Sequence, residues 1–316
     1  MIERAEEMVT VFGGGGFIGR YVCEQLLKKG VRIRVAQRNP RAAHFLQPLG
    51  QVGQVGFVRA DFRKPASIER AMAGATAAIN LVGAFDGDLS AVHAESPGKI
   101  GEAARDAGAS AFVHVSAIGA DPQSESRYGR TKGQGEKAVR EAFPAATIIR
   151  PSLVFGPEDQ LTNRFAGLAQ FPILPVIAPK RRFQPVYVRD LAKAIAGAAL
   201  HPERAGGKTY EIGGPEVMTM RELVEAIARA AGCTPDVVEL PDAAANLMSF
   251  FGFLPGAPLT RDQWLMLQRD NVASGGTEGL EAFGIEPTPL ASVAASWLGR
   301  FSGRRFHKRH VNLRTS

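Results

Sequence analysis

Cysteine is scarce in this chain: Cys23 and Cys233 are the only two among 316 residues. Two thiols so far apart build no disulfide framework, and no Cys/His spacing of the metal-binding kind accompanies them. The expectation is a protein of a reducing compartment with no metal site. Long apolar runs are missing as well, and none reaches the length that spans a bilayer. The opening segment from Met1 to Glu7 is polar and acidic. A signal or transit peptide has the opposite character, so no cleavable leader is expected. Internal repeats and low-complexity linkers are also lacking, which excludes solenoids and tethered arrays.

Acid is absent from the end of the chain. From Arg300 onward stand Arg300, Arg304, Arg305, Lys308, Arg309 and Arg314, with no Asp or Glu among them. Removing these six from the net charge of +7 leaves the preceding 299 residues at +1. The body is nearly neutral and the basicity belongs to a tail. That argues against a nucleic-acid-binding face and leaves two readings of the tail. It is a small basic anchor for an anionic membrane surface, with Phe301 and Phe306 set among its arginines, or a solubilising extension. His307 and His310 belong to it.

What is present is ordinary for a globular protein: 45% hydrophobic and 22% charged residues. Short, nearly continuous apolar runs at 8–12, 32–36, 56–59, 76–82, 111–115 and 146–149 read as strands covered on both faces. Helical patterns lie between them at 18–29, 67–73, 97–107 and 127–142. This alternation predicts right-handed crossovers and an α/β fold with a doubly wound parallel sheet of the Rossmann type. After Pro151 the rhythm changes. Prolines at 172, 175 and 179 mark irregular chain, followed by a strand at 185–188, a helix at 190–200 and a strand at 209–212. A helix at 219–231 carries Thr219 and Glu222 in capping-box spacing. The expected division is a nucleotide-binding domain over 1–200, a smaller C-terminal α/β lobe over 201–299 with parts of 152–185, and a basic tail over 300–316.

The first strand runs into Gly13-Gly14-Gly15-Gly16-Phe17-Ile18-Gly19. Gly13 permits a tight turn, Gly16 lets the backbone approach a pyrophosphate, and Gly19 lets the following helix pack closely on the strand. The helix N-terminus favours the phosphate charge. Gly13, Gly15, Gly16, Phe17, Ile18 and Gly19 are therefore the expected phosphate cradle. The second strand ends Ala36-Gln37-Arg38-Asn39 without the acid that would bind a ribose 2′-hydroxyl. Arg38 is either a solvated surface residue or a partner for a 2′-phosphate. The second reading favours NADP(H) over NAD(H). Asp61 could accept from an adenine amino group or cap a helix, with Phe62 beside it. Val82 and Gly83, at the end of the fourth strand, are also expected cofactor contacts.

Ser116 ends the fifth strand, and twelve residues later Tyr128-Gly129-Arg130-Thr131-Lys132 begins a helix. Tyr128 and Lys132 are four apart and share a face. A neighbouring ammonium stabilises tyrosinate and can also hold a nicotinamide ribose. Ser116 would then orient the oxygen that exchanges a proton with Tyr128. The same three residues can equally hold a cofactor without turning it over. His114, in an apolar strand, reads as a core residue, and Arg181-Arg182 as a solvated turn or, alternatively, a contact for a substrate phosphate.

With Gly13/Gly16/Gly19, Asp61, Ser116, Tyr128/Lys132 and Arg150-Pro151-Ser152-Leu153-Val154-Phe155-Gly156-Pro157 in place, the chain resembles the extended and atypical branch of the short-chain dehydrogenase/reductase superfamily. The resemblance implies that the segment after the sixth strand lines the nicotinamide, so Pro151, Ser152 and Val154 are carried over as cofactor contacts. The segments 126–137 and 155–159, Gln184-Pro185-Val186-Tyr187-Val188 and Leu259-Thr260-Arg261-Asp262 are similar to the 39 kDa NADPH-binding accessory subunits of respiratory complex I. That resemblance covers most of residues 8–290. It implies a tightly held structural cofactor, peripheral-arm partners, and a bacterial protein at the cytoplasmic face of the inner membrane. An intact Ser116/Tyr128/Lys132 set keeps an active NADP(H)-dependent reductase, epimerase or dehydratase open as the alternative. The apolar stretch 246–255 is either core of the lobe, or a lid, or a patch that meets a partner or lipid.

Overall fold

The computed structural model describes residues 7–250 and 259–304. Its centre is a seven-stranded sheet. The strands are β1 (Met8–Phe12), β2 (Arg32–Gln37), β3 (Val55–Arg59), β4 (Ala77–Asn80), β5 (Ala111–Val115), β6 (Thr147–Pro151) and a seventh, Thr209–Ile212. Across the sheet the order is β3-β2-β1-β4-β5-β6 and then the seventh strand. Every neighbouring pair is parallel. The direction of winding reverses between β1 and β4, and in open parallel sheets ligands bind at the carboxyl ends of the strands beside that reversal.

Helices cover both faces. α1 (Phe17–Lys28) and α6 (Val188–Leu200) lie on one side, and α2 (Pro65–Met72), α3 (Ser96–Asp106) and α4 (Arg127–Ala142) on the other, while α5 (Gln160–Leu168) packs in the lobe. The strand β5 shows why its run is apolar at every position but His114. Ala111, Val113 and Val115 join the core under α1 and α6, while Phe112 joins the core under α2, α3 and α4. A strand buried on both faces has no polar side to alternate with.

The seventh strand departs from the expectation, which put 209–212 in the smaller lobe. It pairs with β6 in the register Thr209↔Ile148 to Ile212↔Pro151. Helix α6 carries the chain back across the sheet, and Tyr210, Glu211 and Ile212 are buried at the edge that β6 would otherwise leave open. A further difference concerns 185–188. Only Val186 and Tyr187 are extended, and Val188 already begins α6 with Tyr187 at its N-cap.

The rest of the lobe packs on its own core of Phe155, Leu174, Val176, Leu223, Ile227 and Trp297. The helix Met220–Ala230 supplies much of it and carries the expected capping box, with Thr219 Oγ1 accepting from Glu222 N–H and the Glu222 carboxylate accepting from Thr219 N–H. Of the apolar stretch 246–255, residues 246–250 end the helix Asp242–Phe250, with Leu247 and Phe250 exposed. The remainder, and the basic tail beyond Arg304, lie outside the described residues. Among the described residues, no helix is long and apolar enough to cross a membrane and no cluster of His, Cys, Asp or Glu is arranged to hold a metal.

Candidate functional site

The glycine loop closes on itself. Gly13 stands at φ +79°, a conformation that an L side chain resists. Its N–H donates to the Ala36 carbonyl at 3.1 Å, and Gly16 N–H donates back to Gly13 O at 3.0 Å. Gly16 is the N-cap of α1 and leaves the first helical N–H groups facing the cleft. At Gly19 a Cβ would stand 2.5 Å from Gly13 O and 2.6 Å from Gly14 O, so only glycine lets α1 lie this close to the loop. Phe17 and Ile18 are half-buried at the start of α1 and pack on the core beneath it.

The cleft at the sheet reversal is lined by Gly13, Gly16, Arg38, Phe62, Val82 and Gly83, among others. Arg38 is exposed at its rim and makes no hydrogen bond or ion pair to another described residue. Gln37, a residue the sequence reading assigned no role, accepts from Gly15 N–H at 3.1 Å through Oε1 and donates to Asn39 O at 2.6 Å through Nε2. It ties the end of β2 to the phosphate loop without adding a charge. Asp61 is engaged differently from the expectation. Its carboxylate accepts from the backbone and guanidinium of Arg63 at 3.0–3.1 Å, and these bonds hold its pKa down to about 2. Asp61 thus closes a local turn, and its neighbour Phe62 lines the cleft.

At the other end stand the three residues of the proton-transfer motif. Ser116 follows β5 and is 4% exposed, yet its Oγ has no partner. Lys132 is equally buried, and its ammonium donates to the Val115 carbonyl at 3.1 Å. One acceptor for three N–H donors leaves the charge poorly solvated, and burial lowers its pKa to about 8. The Tyr128 ring centroid lies 5.9 Å from Lys132 Nζ, and burial pushes the phenol up to about 12. A protonated phenol, a free hydroxyl and an under-coordinated ammonium form a donor set for a ligand carrying sugar hydroxyls and a carbonyl or alcohol oxygen. A bound nicotinamide dinucleotide would supply hydride chemistry here. With such a cofactor in place, Lys132 and Tyr128 would be the groups to hold its ribose, and Tyr128 Oη and Ser116 Oγ the groups able to exchange a proton with, and orient, a substrate oxygen.

His93 completes the wall. Ala84 N–H donates to its Nε2 at 3.0 Å, so Nδ1 carries the proton and faces Thr131 Oγ1 at 3.3 Å. Burial, and then the charge of Lys132, lower its pKa to about 3, so it stays neutral. His114 is a buried core residue as expected. Its Nδ1 faces Asn80 Nδ2 at 3.1 Å, and Nε2 has no partner. The motif helix is held from both sides. Ser126 caps α4 by accepting from Gly129 N–H, and Asp262 of the lobe accepts from Arg127 and Tyr128 N–H.

Of the residues after β6, Pro151 is buried, and Val154 pairs with Val186 in a short parallel bridge. Ser152 turns its hydroxyl to Asn271, whose side chain also accepts from Leu153 N–H at 2.9 Å. Asn271 therefore fixes this segment from 119 residues away. Arg182, read as part of a solvated turn, is exposed and pairs with Asp270. Gln37, His93, Asp262 and Asn271 are the residues around the site to which the sequence alone assigns no role.

A parallel sheet in this order, a glycine loop at its reversal and a Ser/Tyr/Lys set at the carboxyl ends define a protein of the NAD(P)-binding Rossmann class. Residues 9–213 match the NAD dependent epimerase/dehydratase family, and the chain belongs to it. It is 35% identical over 292 residues to the rat mitochondrial "NADH dehydrogenase [ubiquinone] 1 alpha subcomplex subunit 9", covering 90% of this chain and 77% of that protein. It is 30% identical over 300 residues to the "Ceramide reductase" of Caulobacter vibrioides, covering 93% and 90%. Among solved structures it is similar to an NADPH-dependent quinone oxidoreductase of Escherichia coli complexed with NADPH. That match has a TM-score of 0.74 and 21% identity, over 92% of this chain and 99% of that one, and speaks for the fold alone.

Proposed function

We propose that this protein is an NADP(H)-holding accessory subunit of a bacterial NADH:ubiquinone oxidoreductase of the complex I type. On this reading its cofactor is mainly structural and serves assembly and stability. The observation that carries it is the 35% identity to the subunit 9 protein over 90% of the chain. Such a likeness spans the lobe as well as the nucleotide half, so it goes beyond what a shared Rossmann domain accounts for. Arg38 on the cleft rim, with an uncharged Gln37 beside it, supports NADP(H) over NAD(H). Residues 1–200 form the nucleotide-binding domain with the seventh strand added to its sheet, and the lobe meets peripheral-arm partners. The protein lies at the cytoplasmic face of the inner membrane, where the basic tail adds attraction to anionic lipid of roughly 1 kcal/mol per charge.

The test is co-migration. In membranes solubilised in mild detergent, the protein should travel with NADH:quinone oxidoreductase activity and release NADP(H), identified by mass spectrometry. A protein found only free of that activity, or one that releases NAD(H), overturns the reading in its respective part.

A second reading, an active NADP(H)-dependent reductase or epimerase, is favoured by one observation. Ser116, Tyr128 and Lys132 are all present, as a proton-transferring site needs, and the match to the ceramide reductase covers 93% of this chain and 90% of that protein. Tyr128→Phe separates the two. It abolishes turnover in an enzyme and leaves nucleotide content unchanged in a subunit.

A further inference from the structure

The loop after β4 places an aromatic ring directly on Tyr128. Phe85 stacks on the Tyr128 ring with centroids 5.1 Å apart and planes 14° from parallel. Phe85 is itself 72% exposed, so it forms the outermost layer over the phenol. His93 meets the same ring edge-on, at 5.2 Å and 85°. The loop is pinned next door, where Ala84 N–H donates to His93 Nε2. One residue earlier, a Cβ on Gly83 would stand 3.8 Å from His93 Nε2 and 4.0 Å from Lys132 Nζ. The floor of the loop thus lies on the motif while its tip projects one ring over it. Gly87, at φ +77°, turns the chain back toward the π-helical turn Ser90–Glu95.

We propose that Phe85 is a shutter on Tyr128, filling a phenyl-sized seat that would otherwise take the flat ring of an aromatic ligand. The seat has one aromatic floor, one edge-on imidazole and a buried ammonium nearby, the surroundings in which an offset-stacked ring is held. Phe85 supplies that ring from the chain itself. The proposal rests on the cofactor-holding reading and gives it a cause: an intact Ser/Tyr/Lys set stays idle because one face of its tyrosine ring is already taken in cis. Phe85 is thereby the residue that decides what reaches the site.

The full-length protein as purified, with Phe85→Ala and Phe85→Leu, provides the test. Tetranitromethane nitration, mapped by mass spectrometry, should rise at Tyr128 by about tenfold in Phe85→Ala, the loss of one stacked ring. The rates at Tyr21, Tyr187 and Tyr210 should stay unchanged as internal controls. Benzyl alcohol, titrated by NMR, should bind Phe85→Ala about tenfold more tightly than wild type by restoring the missing ring. Phe85→Leu keeps apolar bulk without a flat face and should fall between the two. Equal nitration of Tyr128 in all three proteins, or equal benzyl alcohol binding, overturns the shutter. Neither readout needs a bound nucleotide, so a nucleotide-free preparation counts against the cofactor reading alone.

Discussion

Asp262 reaches back 134 residues to accept the backbone N–H of Tyr128 at 3.0 Å, and takes that of Arg127 at 2.5 Å. The first N–H groups of a helix have no partner within it, and a carboxylate there also meets the positive end of the helix dipole. A residue of the lobe therefore fixes the end of α4 on which Tyr128 sits. Asp262 is positioned in turn by the capping box of its own short helix, between Thr260 and Gln263. Asp262→Ala should cost about 1 kcal/mol of stability. The loss should be concentrated in faster amide exchange over 127–131, measured by hydrogen–deuterium exchange. Uniform exchange across α4 in both proteins would show that the cap is dispensable.

Arg38 lines a cleft beside Gln37, which is neutral and already committed to Gly15 and Asn39. A guanidinium with no partner among the described residues is free to pair bidentately with a phosphate. Arg38→Ala should weaken NADPH binding by about tenfold and leave NADH binding nearly unchanged, the difference of one charge-assisted contact. Gln37→Glu keeps the acceptor for Gly15 N–H and should repel the same phosphate. Fluorescence titration with both nucleotides checks the pair, and equal losses for the two cofactors would remove the assignment to a 2′-phosphate.

The sheet was legible because strands buried on both faces are written as nearly continuous apolar runs, as in Ala111–Val115, where only His114 is polar. The phosphate loop was legible because a tight turn and a close helix leave glycine as the only tolerable residue at 13 and 19. The strand 209–212 was misplaced because its four residues carry no mark of which sheet they join. That choice is made by α6 returning across the sheet to an open edge. Asp61 matched a motif, yet its carboxylate is satisfied by Arg63 two residues on, a local ion pair that motif spacing does not weigh. Asp262, Asn271 and Phe85 act through contacts made only once the chain is folded, and His93 lies in a π-helical turn without a periodic signature.

Lys132 carries a buried ammonium with one acceptor, its pKa lowered to about 8 from 10.5. Between those two values the unfolded chain binds more protons than the folded one, so the contribution of Lys132 to stability rises with pH across that window. Below pH 8 the penalty is present in full, on the order of 3 kcal/mol before relaxation and water penetration reduce it. Lys132→Met should therefore be more stable than wild type at pH 7 in nucleotide-free protein. The gap should close as pH rises past 10, as urea unfolding at several pH values would show. The same variant should lose nucleotide affinity, because the unmet donors of Lys132 are what a ribose would satisfy. A destabilised Lys132→Met at pH 7 would mean that the ammonium is better solvated than its single contact indicates.

Arg150 binds two largely buried carboxylates from different elements. Its Nε and Nη2 take both oxygens of Glu136 on α4, at 2.9 and 2.6 Å, and Nη1 reaches Glu211 on the seventh strand at 3.4 Å. Glu211 accepts in addition from the backbone and hydroxyl of Ser274, so the group joins the motif helix, the sheet edge and a lobe segment. Removing the cation leaves two anions facing each other out of water, and breaking such an arrangement costs about 3–5 kcal/mol. Arg150→Met should lose stability of that order at neutral pH. The Glu211 pKa lies below its ordinary value, with Ser274 and Arg150 opposing the effect of burial. Its contribution is therefore present above the unfolded carboxylate range and lost as pH falls through the folded value. In Arg150→Met the Glu211 carboxyl should instead protonate readily, so the gap to wild type should narrow on acidification from pH 7 toward 4. Thermal unfolding across that range decides it, since a gap independent of pH would place the cost in lost packing of the guanidinium stem instead of in unpaired charge.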